Sequence, residues 1–248
     1  MHVASRKACH AFTLGELLVS LAITGLIVLL LGRVFTAAAT QWQAGDQRID
    51  SFREARAALQ MIARDLSRAH LDGDPQMLRL SDLDSDPAGN EYAKEAFAIA
   101  PIANSGKSDL CAVGYYLSWD ATVKAYRLKR LFKDSDATVP VLANTAPNFN
   151  SLFTKAPASD EDLASYAWDL RFRPGVLADS EPPSANPSTK WQWVEVRFKA
   201  MSAAAAGKFR NMTVSEATWN DPTDAIYRRL ILPNEQQFVT RVKLHQAP

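Results

Sequence analysis

One carboxylate stands where a carboxylate is costly. Glu16 interrupts Phe12-Thr13-Leu14-Gly15-Glu16-Leu17-Leu18-Val19 and the run on to Leu31, which is otherwise mostly apolar. A charge buried in such a run costs roughly 2.5–3.5 kcal/mol on insertion scales, so the acid calls for a partner. If the chain is cut before Phe12, a new α-ammonium lies four residues from Glu16. In a bundle of such helices, one subunit's Glu16 can meet a neighbour's amino terminus and offset the desolvation of both. The other reading places Glu16 in the headgroup region with no specific role.

Elsewhere the residue types that do chemistry lack the spacing for it. Ser105-Gly106-Lys107-Ser108 ends like a phosphate-binding loop, but the required glycine five residues before Gly106 is Pro101. Asp82, Asp84 and Asp86 alternate like the first oxygens of a calcium loop. Pro87 takes the place of its turn glycine, and Glu91 comes at position ten instead of twelve. A solvated acidic turn is expected there. His2, His10, His70 and His245 show no ligand spacing. No nucleophile and base pair up in the sequence, so no catalytic residue, metal or cofactor is expected, and the chain reads as a non-enzyme. Trp191 and Trp193 alternate onto the face of Glu195 and Arg197, which either marks a subunit contact or is covered by residues 174–189.

Composition narrows the partners. Lys plus Arg total 28 against 27 Asp plus Glu, scattered singly, for a net charge of +1. Nucleic-acid binders cluster a basic excess, so no nucleic acid is expected. With 47% hydrophobic and 22% charged residues the chain has globular usage. Cys9 and Cys111 are the two cysteines. Removal of residues 1–11 would leave Cys111 alone, and the domain would then be held by its core without a disulfide.

The elements that must position Glu16 follow from periodicity. Residues 12–31 are about the length that crosses a ~30 Å hydrocarbon core as a helix. Residues 1–11 carry Arg6 and Lys7 and no acid, so this leader stays cytoplasmic and the rest lies outside. No proline precedes Pro75. Phe35, Ala38, Trp42, Ile49, Phe52, Leu59, Ile62 and Leu66 recur at steps built from threes and fours, the stripe of an amphipathic helix. Asp72-Gly73-Asp74-Pro75 is a stop signal. One helix from about Phe12 to His70 is predicted, with 12–31 in the membrane, 32–71 its amphipathic continuation, and Phe52, Leu59, Ile62 and Leu66 buried on a sheet.

Residues 72–248 form the globular part, and there the period changes to two. Residues 110–119 put Cys111, Val113, Tyr115, Leu117 and Trp119 on one face. Asp120-Ala121-Thr122 is a turn, and 125–133 alternate Tyr126, Leu128 and Phe132 against Arg127, Lys129 and Lys133. Trp168, Leu170 and Phe172 alternate with Asp169, Arg171 and Arg173. Val194, Val196, Phe198 and Ala200 oppose Glu195, Arg197 and Lys199, and Phe238, Val242 and Leu244 oppose Arg241 and Lys243. Such strands make an antiparallel sheet with one packed and one wet face. Residues 134–162 and 174–189, with their prolines, read as loops. A long N-terminal helix packed on an antiparallel sheet is an α+β arrangement.

Ala11-Phe12-Thr13-Leu14-Gly15-Glu16-Leu17-Leu18 followed by an apolar span resembles the cleavage and methylation motif of type IV prepilins and type II secretion pseudopilins. The resemblance implies a pilin-like fold, cleavage between Ala11 and Phe12 by prepilin peptidase, N-methylation of Phe12, and subunit registration by Glu16. It also implies a structural, minor-type subunit of a type IV pilus or type II secretion filament. Such a subunit would sit in the inner membrane with its C-terminal domain outside the cytoplasm, and its partners would be other pilin-like subunits. The sequence departs from the family at Ala11, where glycine is usual, and at Gly15. Gly114-Tyr115-Tyr116-Leu117, Tyr126 to Leu131 and Val194 to Phe198 are similar to the C-terminal part of J-type minor pseudopilins. The chain also resembles the Verru_Chthon cassette protein C group.

Two other readings compete. Arg6 and Lys7, residues 17–31 and Ala37-Ala38-Ala39 match the n-region, h-region and cleavage site of a secretory signal. That signal would deliver a periplasmic or secreted binding domain. The acid at the n/h junction and the Arg33-Val34-Phe35 stretch speak against it. A plain, unprocessed single-pass anchor is the other.

Overall fold

The computed structural model describes residues 14–69, 77–85, 91–103, 108–144, 148–175, 191–209 and 212–244. The chain divides into two units, Met1–Asp46 and Gln47–Pro248, and helix α1, Leu14–Ser67, runs across the division.

In the first unit α1 is exposed at every described position. Its hydroxyls turn inward on the helix itself. Ser20 donates to the Leu17 carbonyl at 2.9 Å, Thr24 to Ser20 at 2.7 Å, Thr36 to Gly32 at 2.8 Å and Thr40 to Ala37 at 2.8 Å. Each of these hydroxyls thus finds an acceptor without water, the condition for lying in hydrocarbon.

The second unit is built on an eight-stranded antiparallel sheet. Its strands are β1 (Leu78–Ser85), β2 (Glu91–Pro101), β3 (Leu110–Asp120), β4 (Ala125–Lys133), β5 (Glu161–Ser165), β6 (Ala167–Gly175), β7 (Trp193–Ala200) and β8 (Gln236–Lys243). The order is β5-β4-β3-β2-β6-β7-β8, with β1 also paired to β2. The unit is therefore α+β, a helix followed by a curled antiparallel sheet. The expected strands at 110–119, 125–133, 167–173, 192–200 and 238–244 are all found.

The last turns of α1 cover one face. Ser51, Ala55, Ala58, Ile62, Asp65 and Leu66 are buried, while Phe52 and Leu59 are half-buried at the flanks of the same core. The expected stripe is corrected here: its centre is small. Two alanines let the helix backbone approach the sheet closely, and the bulky Phe52 reaches sideways to stand edge-on to Phe238, ring centres 5.9 Å apart. Trp42 and Ile49 are exposed. α1 ends at Ser67, with Ala69 donating to Leu66 at 3.1 Å. Phe12, His70 and the stop signal at 72–75 lie outside the described residues.

The expectation of one wet face fails at the centre of the sheet. Ala96 to Ala100 of β2 and Cys111 to Tyr116 of β3 are buried at every position. Ala96, Ala98, Val113 and Tyr115 face the α1 core, and Phe97, Ile99, Ala112 and Tyr116 pack on the other side with Phe149, Leu152 and Phe153. The cover comes from residues 134–162, expected as a loop. They form α2 (Ser135–Leu142), α3 (Phe149–Leu152) and the start of edge strand β5. Asp134 caps α2 by accepting from the Ala137 N–H at 3.0 Å. Gly114 is required in this layer, because a Cβ there would overlap the Phe97 ring.

One further expectation changes. Trp168 does not share a face with Leu170 and Phe172. A bulge between Trp168 and Arg171 shifts the register, with Asp169 at φ 54°. Trp168 stands opposite Lys199 and meets Trp219 edge-on at 4.9 Å. Between β7 and β8 the chain adds α4 (Ala203–Ala206), α5 (Glu216–Asn220) and a wide turn over Tyr227–Ile231. Phe209, Trp219, Tyr227 and Ile231 from this segment build a second apolar cluster around Trp168.

Candidate functional site

Glu16 lies in the first helical turn of α1, followed by exposed Leu17, Leu18, Val19, Leu21 and Ile23. Among the described residues α1 is the one helix long and apolar enough to cross a membrane, consistent with single-pass anchoring. Ala11 and Phe12, the expected cleavage and methylation positions, lie outside the described residues.

The second half of α1 is tied to the sheet by polar bonds as well as by packing. Asp65 is fully buried, and its Oδ2 accepts from the Tyr115 hydroxyl at 2.6 Å and from Arg130 Nη2 at 2.8 Å. Arg64 approaches the other oxygen at 3.5 Å. Burial, with the Asp65 charge beside it, pushes the Tyr115 hydroxyl well above its ordinary value. Arg130 is drawn down by burial, but Tyr115 and Asp65 outweigh this and its pKa is raised. Tyr115 is therefore a neutral phenol whose hydroxyl donates to Asp65.

Two further contacts add to it. Glu54 accepts from the Ser165 N–H at 3.1 Å, and Ser51 accepts from the Ala203 N–H at 3.2 Å. Sequence reasoning did not single out Asp65. A signal was present, since Asp65 follows Ala58 by seven residues on the buried face, but its partners come from strands 50 and 65 residues further on.

The other sequence candidates are dispersed. Asp82 and Asp84 lie on β1, not in a turn, because the segment pairs with β2 from Leu78↔Ala98 to Ser85↔Glu91. Asp84 pairs with Lys94 at 2.9 Å, which with the Ser85 N–H holds its carboxyl below the usual range. Asp86 lies outside the described residues. Among the described residues no group of three His, Cys, Asp or Glu could hold a metal ion. Residues 105–107 also lie outside. Ser108 donates its N–H to Ser135 Oγ at 3.2 Å, an ordinary tie between the approach to β3 and α2. Cys111 is buried, its thiol 3.5 Å from the Ile102 carbonyl.

The two tryptophans part company, because Trp191 precedes β7 and does not follow its alternation. Trp191 is buried in the α1 core. Trp193 is half-buried against Gly175, where a Cβ would overlap the indole, and Arg241 lies over its outer face at 4.8 Å. Pro174 is part of β6, opposite Val194, while 176–190 lie outside the described residues.

No family model matches this chain, and no curated protein matches it. The class the fold and helix define is an α+β domain led by a helix of membrane-spanning length and composition.

Proposed function

We propose that this chain is a pilin-like structural subunit, of the minor kind, of a type IV pilus or type II secretion filament. Prepilin peptidase removes residues 1–11 between Ala11 and Phe12, Phe12 is N-methylated, and Glu16 pairs with a neighbouring subunit's amino terminus. The mature protein is held in the inner membrane by α1, with its sheet domain outside the cytoplasm. The observation that carries this reading is the division of labour along α1. The element whose first turn holds Glu16, and which runs on as an exposed apolar span, ends by closing the core of an antiparallel sheet domain. A cleavable signal has no need of such continuity. A subunit that must transmit force from a helical bundle to a surface domain does.

Intact mass and N-terminal sequencing of the chain, expressed with and without prepilin peptidase, test it. The expected product begins at methylated Phe12 and appears only with the peptidase. A product beginning near Thr40 would instead establish an ordinary signal and a released binding domain, and full-length chain in both strains would establish a plain anchor.

A further inference from the structure

On the sheet domain, residues that the filament reading does not use line a cavity of about 510 Å³, within the roughly 300–1,000 Å³ usual for small-molecule sites. β1 and β2 supply Asp84, Tyr92 and Lys94, and β6 supplies Trp168, Asp169 and Arg171. The segment before β8 supplies Glu216, Trp219, Asn220 and Tyr227.

Three properties of these walls point to a ligand. The first is a packed aromatic lining: buried Trp168 and Trp219, which meet edge-on at 4.9 Å, with buried Tyr126 and Tyr227 and half-buried Tyr92. Trp168 is 99% buried and its Nε1 has no acceptor among the described residues. The second is backbone strain. Asp82 and Asp169, two of the four non-glycine residues with positive φ among the described residues, at 55° and 54°, both belong to this lining, and strain of this kind gathers at binding sites. The third is the arrangement of polar groups as adjacent donors and acceptors. On one wall Asn220 Nδ2 donates to the Tyr126 hydroxyl at 2.8 Å, which lies 2.9 Å from Glu216 Oε1. On the other, Asp84 accepts from Tyr92 at 3.2 Å and pairs with Lys94 at 2.9 Å. Arg171 pairs with Asp169, and Lys199 with Glu235 at 3.1 Å.

We propose that this cavity binds a neutral saccharide of one or two rings. An anion or a cation would have to compete with ion pairs already made. A polyhydroxylated neutral ligand leaves them intact, because each hydroxyl both donates and accepts and can bridge a donor and acceptor set side by side. The site does not depend on whether α1 serves a filament.

Full-length chain in a zwitterionic, sugar-free detergent is titrated separately with maltose, cellobiose, lactose and diacetylchitobiose. Lysyl-lysine and glucose 6-phosphate are the charged comparisons. Tryptophan fluorescence and saturation-transfer NMR are the readouts. At least one neutral disaccharide is expected to saturate, more tightly than either charged probe. Glu216→Ala and Asn220→Ala, both at exposed positions, are expected to weaken it by about tenfold, as for a lost hydrogen-bond partner. Lys94→Gln on the opposite wall gives the same result should either variant misfold. Saturation by none of the four sugars, preference for a charged probe, or binding unchanged in all folded variants overturns the proposal.

Discussion

The carboxylate of Asp65, near the end of α1, accepts a 2.6 Å hydrogen bond from the hydroxyl of Tyr115 on β3. Arg130 on β4 reaches the same oxygen at 2.8 Å, so one helical side chain engages two neighbouring strands. Removing the acid leaves a guanidinium and a phenol buried without it. Asp65→Ala is expected to cost about 3–5 kcal/mol, as for a broken buried pair. Tyr115→Phe leaves the Asp65–Arg130 pair in place and is expected to cost only about 1 kcal/mol. Urea melts of a truncated chain starting at Gln41 compare them, and equal losses would mean the hydroxyl matters as much as the charge.

The small centre of the helix face makes its own prediction. Ile62 is fully buried while Leu59 sits at the flank. Ile62→Ala is expected to cost roughly 2–5 kcal/mol, and Leu59→Ala clearly less. Ala58→Leu forces the helix off the sheet and is expected to cost about 1–3 kcal/mol. Exposed Arg53→Ala stays within about 0.5 kcal/mol. The same melts rank the four, and a tolerated Ala58→Leu would show that the helix does not approach as described.

Glu16→Ala separates anchoring from assembly. Loss of an acid removes its burial cost, so membrane fractionation is expected to find the variant inserted as well as the wild type. Crosslinking to other pilin-like subunits is expected to fall sharply, since a neighbour's ammonium loses its counter-charge. Undiminished crosslinking would rule out the registration role.

Asp120 predicts a pH dependence. It closes the β3–β4 turn, accepting from the Thr122 and Val123 N–H groups at 2.8 and 3.3 Å and pairing with Arg127 at 2.8 Å. Burial pushes its carboxyl up, but those N–H groups and Arg127 outweigh it and hold it below the usual range. A carboxylate lowered in the native state stabilises above its unfolded value of about 3.9 and loses that contribution as pH falls through the native value. Asp120→Asn is therefore expected to be less stable than wild type near about pH 6, with the gap closing near about pH 3. A gap independent of pH would assign the effect to the turn geometry alone.

Legibility followed how local the physics was. β7 could be read because Val194, Val196 and Phe198 alternate with Glu195, Arg197 and Lys199 and declare their face without outside help; β3 and β4 were legible as strands but not in their faces, since Cys111 to Tyr116 are all buried and Phe132 is exposed. β1 was hidden because its charged Asp82-Leu83-Asp84 stretch looks like a turn and becomes a strand only by pairing with β2. α2 and α3 were hidden by Pro140 and Pro147, although Pro140 sits within α2, which buries its own Ser135 and Thr138. Trp168 was assigned to the wrong face because one bulge residue reverses the parity of everything before it.

By itself the sequence determined the apolar span, the place of Glu16 within it, the helix that continues it and the alternating strands, because hydrophobic period and span length depend on nearest neighbours along the chain. The tertiary structure alone decided that the central strands are covered on both faces and that Asp65 is the polar tie. It alone brought Asp84, Asp169 and Glu216 to one aromatic-lined cavity. Those residues are 85 and 47 positions apart in turn, and only the curl of the sheet and the segment before β8 make them neighbours.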